Sequence, residues 1–292
     1  MRTSGDRIGV SGVTAANDAE VTVPGERPEP PALRASSRPT SRRRPGPTPV
    51  PIRVVRSARV VAHIVGGLAT TVFVFPWVGT PTRQRLMRKW CRQFLRMLKV
   101  EARVHWRHDG EMPANVLIVA NHISWLDIFV LSSLQPARFV AKADLRRLPI
   151  AGRLMANVGT LFIERERRRD THTVNRHTVE ALTRGDVVAV FPEGTTSDGT
   201  GLLKFHSSLL QSAVDAKGHV QPIAIRYRTP GDEHCTAPAY VGEMSLVGSL
   251  WRVTGERSFV AELHVMPPFP AGTAHRRELS RAAEEAIRTA LA

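Results

Sequence analysis

At 292 residues the chain has room for one sizeable hydrophobic core plus appendages. Its two cysteines, Cys91 and Cys235, give neither a disulfide framework nor a zinc-ligand spacing. A formal net charge of +15 and a sequence pI near 11.2 point instead to an anionic partner: nucleic acid, an acidic membrane surface or a phosphorylated substrate.

Residues 1–57 are rich in Pro, Arg, Ser and Thr, as in "ERPEPPALRASSRPTSRRRPGPTPVP", and show no apolar periodicity. Such a segment buries too little surface to offset its conformational entropy and is expected to be a disordered tail. The sharper alternative is a basic arm resting on anionic lipid or nucleic acid. The first apolar run starts too late for a cleavable export signal.

Residues 58–100 change character. From Val60 to Val78 the chain is apolar or small apart from His63, Thr70 and Thr71. That length is close to the ~20 residues a helix needs to cross a bilayer, although a hairpin, a one-leaflet insertion or a buried helix of the soluble domain satisfies the same composition. Gly66, Gly67 and Pro76 are tolerated in membrane helices, and Trp77 suits the interface. Arginines flank both ends, so the charge bias gives no clean orientation. In the following "TPTRQRLMRKWCRQFLRMLKV", Met87, Trp90, Cys91, Phe94, Leu95 and Leu98 form one apolar stripe at helical spacing, with Arg and Lys around the rest. Two readings stay open for this basic amphipathic helix. It lies on anionic headgroups, or it packs its stripe on the core of the domain.

Residues 101–292 read as an α/β domain. Strand candidates are "ARVHW", "NVLIVA", "ARFVAK", "TLFIE", "DVVAVF", "QPIAIRY" and "AELHVM"; helix candidates span 125–134, 148–158, 170–184, 205–216 and 274–290. This alternation predicts a mostly parallel or mixed central sheet covered by helices. Ligands on such sheets sit beyond the strand ends, where "NH", "ER" and "PEGTT" fall.

Three stretches carry chemistry. In "NHISWLD", Ser124 followed by Asp127 resembles a capping box, which makes His122 incidental. Inside one helix, His122 and Asp127 would stand about 140° apart and not meet. They meet if Ser124 caps the helix, with His122 in the turn before it and Asp127 in its first turn. Asp127 then orients His122 as a general base. No "GxSxG" elbow is present, so direct transfer, without a serine nucleophile, suits the pattern. In "GTLFIERERRR", Arg165 follows a strand end and can fork onto a phosphate, while Arg167 to Arg169 read as a solvated charge run. In "FPEGTTSDG", amides near Gly194 and the hydroxyls of Thr195 and Thr196 can bind an oxyanion. Glu193 either orients a substrate hydroxyl or holds Arg165. The stretch lacks the glycine and lysine spacing of a P-loop.

Together and in this order, these stretches resemble the glycerophospholipid acyltransferase family, the PlsC-like 1-acylglycerol-3-phosphate acyltransferases, from about Ala102 to Met266. His122 and Asp127 match the family's HX4D motif. Arg165 falls on its phosphate-binding arginine, Glu193, Gly194 and Thr195 on its acceptor site, and Pro222 of "QPIAIRY" on its proline position. The resemblance implies transfer of an acyl group from acyl-CoA or acyl-carrier protein to the sn-2 hydroxyl of 1-acylglycerol-3-phosphate. The product is phosphatidic acid, and neither cofactor nor metal is needed. It also implies a lysophospholipid acceptor met at the membrane surface, with the catalytic domain on the cytoplasmic side of the inner membrane, where those donors are found.

Two departures bear on the acceptor. The family often reads "EGTR" where this chain has Thr196, and a lysine where it has His206; Lys204, two residues away, can compensate. A related branch acylates lyso-ornithine lipid, which has no phosphate, and that acceptor is the alternative. Nucleic-acid binding is disfavoured, because the arginines cluster in the tail and the amphipathic helix and no recognition motif is present. A metal-dependent hydrolase is disfavoured because His122, Asp127, His172, His177 and His206 lack a ligand spacing.

Overall fold

The computed structural model describes residues 46–163 and 168–292. Two helices come first, α1 (Val50–Phe73) and α2 (Thr80–Met97), joined through a short 3-10 turn at Phe75–Trp77. The α/β part follows with β1 (Val100–Trp106), β2 (Val116–Ala120), α3 (Leu126–Leu134), β3 (Arg138–Lys142), α4 (Ala151–Asn157) and β4 (Leu161–Ile163). After these come α5 (Arg168–Thr183), β5 (Val188–Val190), α6 (Gln211–Asp215), β6 (His219–Arg228), α7 (Leu246–Gly255), β7 (Phe259–Val265), β8 (Phe269–Pro270) and α8 (Arg276–Leu291). The strands form one mixed sheet in the order β1-β7-β6-β2-β5-β3-β4, with β8 also on β6. Neighbours run parallel except β7 and β8, which run antiparallel to β6.

This connectivity positions the site. β2 and β5 are adjacent and parallel, so the loops leaving their C-terminal ends stand about 5 Å apart. β2 is buried on both faces, as a continuous apolar run requires. Val116, Ile118 and Ala120 face one layer, with Phe94, Leu98, Leu126 and Val130; Leu117 and Val119 face the other, with Leu182, Ala213, Leu279 and Ile287. Pro222, which has no N–H to give, sits where the far edge of β6 changes partner from β8 to β7.

Every strand expected from the sequence is present, while α7 and β8 are additions. The 148–158 helix starts only at Ala151, because Pro149 disfavours helical backbone at Leu148, and Ile150 turns the chain with φ 63°. The 205–216 helix divides into a 3-10 turn at Ser207–Leu210 and the short α6. Residues 50–57, grouped with the tail by composition, lie in α1: Pro51 falls in the first turn, where its missing N–H has no helical partner to lose. The rest of the proposed tail, up to residue 45, lies outside the described residues.

The apolar stripe of α2 answers the question its sequence left open. Cys91, Phe94, Leu95 and Leu98 are buried in the core, and the Phe94 ring stacks on Phe129 of α3 at 4.0 Å. Burial pushes the Cys91 thiol up to about 12, so it stays a neutral packing group. On the polar side, Arg92 Nε donates to Ser133 O (3.0 Å) near the carbonyl end of α3, where a cation is favoured.

α1 has the reverse arrangement. Apart from exposed Arg59, its charged side chains point at the protein. Arg53 Nη2 donates to Trp251 O, Arg56 Nη1 to Glu256 O (2.8 Å), and Asn157 Nδ2 to Thr71 Oγ1 (2.9 Å). The ring of His63 stacks on Trp90 at 4.9 Å. Its outward face, by contrast, is Ile52, Val55, Val61, Val65, Val72 and Phe73, all exposed. Within Val50–Trp77 the most apolar 18-residue window has a mean hydropathy of 1.7, and only 22% of it is buried.

α1 and α2 approach closely at Gly67, where an added Cβ would lie 2.7 Å from Trp90 Nε1, whereas at Gly66 it would meet nothing within 4 Å. Gly67→Ala is therefore expected to destabilise the protein by about 1–3 kcal/mol through overpacking against a rigid indole. Gly66→Ala should be neutral or raise stability by up to about 1 kcal/mol. Urea unfolding of both variants measures the contrast.

Candidate active site

Where β2 ends, the chain must turn before α3, and the side chains of that turn are held without slack. Asn121 continues the pairing with β6 by side chain: its Nδ2 donates to Ile225 O (2.9 Å) and its Oδ1 accepts from Ile225 N (2.7 Å). Ser124 Oγ accepts from Leu126 N (3.2 Å), and the Asp127 carboxylate reaches back to Ser124 N (2.9 Å). The helix itself starts one residue later than the sequence suggested: Trp125, not Ser124, is its N-cap and carries no side-chain cap, and the two Ser124 bonds tighten the turn just before it.

The same carboxylate holds His122. Asp127 Oδ2 accepts from His122 Nδ1 at 2.8 Å and from Ile123 N at 2.7 Å, while Oδ1 accepts from Tyr227 Oη at 2.7 Å. Asp127 is fully buried, and these donors satisfy it. Burial, with Asp127 beside it, drives the Tyr227 hydroxyl well above its ordinary range, so it remains a donor. The His122 side chain keeps 20% of its surface accessible. With Nδ1 engaged by Asp127, Nε2 is the ring nitrogen left for another partner.

The loop after β5 secures His122 from the other side. Glu193 Oε1 accepts from His122 N (2.7 Å) and Oε2 from Leu203 N (3.0 Å). Ser197 N donates to His122 O at 2.8 Å. Phe191 lies under the imidazole, ring centroids 4.0 Å apart and planes 11° from parallel. Burial raises the Glu193 carboxyl above the usual range, against the lowering effect of its two amide donors. Gly194 takes φ 74° and closes a turn onto Phe191 O, a backbone conformation that suits glycine.

The remaining sequence candidates divide. Thr196 Oγ1 donates to Tyr240 O, so this hydroxyl is tied to a neighbouring loop, and that loop also binds Ile123 through Tyr240 N. Thr195 and Lys204 are exposed beside it. Arg165 lies outside the described residues; β4 ends at Ile163 on the same sheet edge as β2 and β5, with β3 between β4 and β5. Among the described residues, no group of three or more His, Cys, Asp or Glu side chains is placed to hold a metal ion. A cavity of about 450 Å³, lined by Trp106, His108, Glu111, Leu134 and Val187 among others, opens at the opposite end of the sheet from His122.

Sequence reading missed Asn121, Phe191, Ser197 and Tyr227. Tyr227 had a signal: in "IAIRY" it shares a face with Ile223 and Ile225, and a tyrosine on a buried face needs a partner for its hydroxyl.

A mixed α/β sheet thus carries, at the C-terminal ends of its parallel strands, a histidine oriented by a buried carboxylate. Comparison with known proteins supplies the class. A family model described as Acyltransferase matches residues 101–226. A lyso-ornithine lipid O-acyltransferase of Pseudomonas aeruginosa is 39% identical over 246 residues, covering 82% of this chain and 93% of that protein. A 1-acyl-sn-glycerol-3-phosphate acyltransferase of Neisseria gonorrhoeae is 39% identical over 187 residues, 64% of this chain and 73% of that protein. The crystal structure of the 1-acyl-sn-glycerophosphate acyltransferase PlsC from Thermotoga maritima matches with a TM-score of 0.57 at 21% identity, over 82% of this chain and 96% of that one, a likeness of fold. The chain belongs to the acyltransferase family that includes the 1-acylglycerol-3-phosphate O-acyltransferases.

Tyr227→Phe removes one donor from a buried carboxylate and should cost about 1.5–3 kcal/mol of stability. The measurement is the urea midpoint; an unchanged midpoint would mean the hydroxyl contributes nothing to holding Asp127.

Proposed function

We propose that the protein transfers an acyl group from a thioester, acyl-CoA or acyl-carrier protein, directly to the free hydroxyl of a lysolipid. His122 is the general base. The observation that carries this reading is the 2.8 Å contact between His122 Nδ1 and buried Asp127 Oδ2, which fixes the tautomer and directs Nε2 outward. Nε2 takes the proton of the acceptor hydroxyl as its oxygen attacks the thioester carbonyl. The tetrahedral intermediate then collapses, the C–S bond breaks, and the imidazolium returns the proton to the leaving thiolate. Asp127 favours the imidazolium in between. In this reading Glu193 is a positioning residue, because both of its oxygens already accept from the site's own backbone.

α1 supports a membrane setting. A helix that keeps Arg53, Arg56, His63 and Thr71 docked on the domain along one side, and presents only apolar side chains apart from Arg59 on the other, fits one leaflet better than a full crossing. The inner membrane, with the site on its cytoplasmic side, follows from where such thioester donors occur.

Two acceptors compete within this reading. A phosphate acceptor, 1-acylglycerol-3-phosphate, is supported by the sequence position of Arg165 and by relatives such as that of Neisseria. Lyso-ornithine lipid is supported by a specific observation: the residue standing where the family often carries an arginine is Thr196, whose hydroxyl is engaged by Tyr240 O, and Lys204 points to solvent. The longer match to the Pseudomonas relative leans the same way. We take lyso-ornithine lipid as the leading acceptor and 1-acylglycerol-3-phosphate as the second.

His122→Ala should lower kcat by about 10²–10⁴-fold and, because it too takes a donor from buried Asp127, should cost about 1.5–3 kcal/mol of stability. Asp127→Asn should also lower kcat while costing stability, since its amide cannot accept on both sides; wild-type turnover in either variant ends the dyad mechanism. Given labelled acyl donor and equal amounts of the two lysolipids, the enzyme is expected to acylate lyso-ornithine lipid in preference, read by mass spectrometry of the products. Predominant phosphatidic acid would reverse the choice of acceptor.

A further inference from the structure

α7 was not anticipated from the sequence, and its outward face is unusual for a helix on a globular domain. Leu246, Val247 and Trp251 are exposed, Val247 by 78%. Val247 and Trp251 are one helical turn apart and share a face. Ser249, Val253 and Thr254 are buried and dock the opposite side.

This face continues into α1. The guanidinium of Arg53 lies over the Trp251 indole at 3.9 Å and its Nη2 donates to Trp251 O. Arg56 Nη1 donates to Glu256 O just past the C-terminal end of α7. Val50 and Val54, which flank Arg53 on α1, are both exposed. Val247, Trp251, the Arg53 stem, Val50 and Val54 thus form one apolar strip. An indole with an arginine stacked on it is a pairing suited to the boundary between hydrocarbon and headgroups. In the segments that border the strip, 50–59 and 243–257, stand Arg53, Arg56, Arg59, Arg252 and Arg257 against Glu243 and Glu256, an excess of positive charge.

We infer that α7 is a second membrane contact, which inserts Leu246 and Val247 into an anionic leaflet with Trp251 and Arg53 at its boundary. This rests on the reading of α1 as lipid-facing and extends it: the occupant is the same lipid surface, because the strip is continuous with the α1 face and its rim is cationic. The contact reaches the chemistry. Trp125, two residues before Asp127, donates its indole N–H to Ser249 Oγ on α7 at 2.9 Å. The helix that meets the lipid is therefore bonded to the turn that carries His122.

The test uses the full-length chain and vesicles containing phosphatidylglycerol, with partition measured by co-sedimentation. Val247→Glu should weaken partition about tenfold or more, the loss of one buried valine plus a charge brought to the leaflet. Its thermal midpoint should stay close to that of the wild type, because Val247 is 78% exposed. Val65→Glu, on the outward face of α1, should weaken partition as well. If Val65→Glu weakens binding and Val247→Glu does not, the α7 contact is wrong while the α1 reading stands. If neither does, the α1 reading fails and takes this one with it. If Val247→Glu leaves vesicle binding intact but converts a dimer to a monomer in light scattering, the strip is covered by a second copy and the lipid proposal is overturned.

Discussion

The carboxylate of Asp127 is the point on which the site is built. It is buried, and among the described residues no arginine or lysine is paired with it, so hydrogen bonds do there what a counter-charge would otherwise do. Three of its donors come from His122, Ile123 and Ser124, and the fourth from Tyr227 on β6. Three consecutive residues are thereby folded around one side chain. The turn between β2 and α3 has its shape because an acceptor sits at its centre, and the imidazole is one of the groups that the acceptor arranges.

A second carboxylate plays the matching part from outside. Glu193 grips the His122 amide while Ser197 grips its carbonyl, so the peptide units on both sides of the histidine are fixed by the loop after β5. Parallel neighbours make this possible: only strands that end at the same edge deliver two loops side by side. The order β6-β2-β5 is thus as much a part of the histidine's environment as the residues that touch it.

Most of the fold was legible because its strands are apolar runs bounded by turn residues, and "VLIVA" is buried at every position. The meeting of His122 and Asp127 was legible from helix geometry, since only a boundary between them brings them together; the boundary fell at Trp125, one residue past the expected Ser124. α7 was not, because "LVGSLWRVTG" mixes outward and inward apolar residues and has two glycines, so no single stripe stands out. The amphipathic α2 showed its stripe clearly, but spacing alone does not say whether protein or lipid covers it. The roles of Glu193 and Thr196 were hidden for another reason: their partners are backbone atoms of other loops, and such partners leave no trace in side-chain pattern.

The docking of α1 changes how the hydrophobic N-terminal region should be treated in the laboratory. Val60 belongs to the same core as Phe94 and Leu98, and Trp90 is packed against Gly67. A shortened version that begins after residue 78, the usual route to a soluble fragment, would not shed a detachable anchor. It would strip one wall from the core, expose the Trp90–Phe94–Phe129 aromatic cluster to water and leave α7 without Arg53 and Arg56. Detergent around the whole chain is the gentler remedy for the exposed apolar side of α1, because it covers that side and leaves the inward one docked.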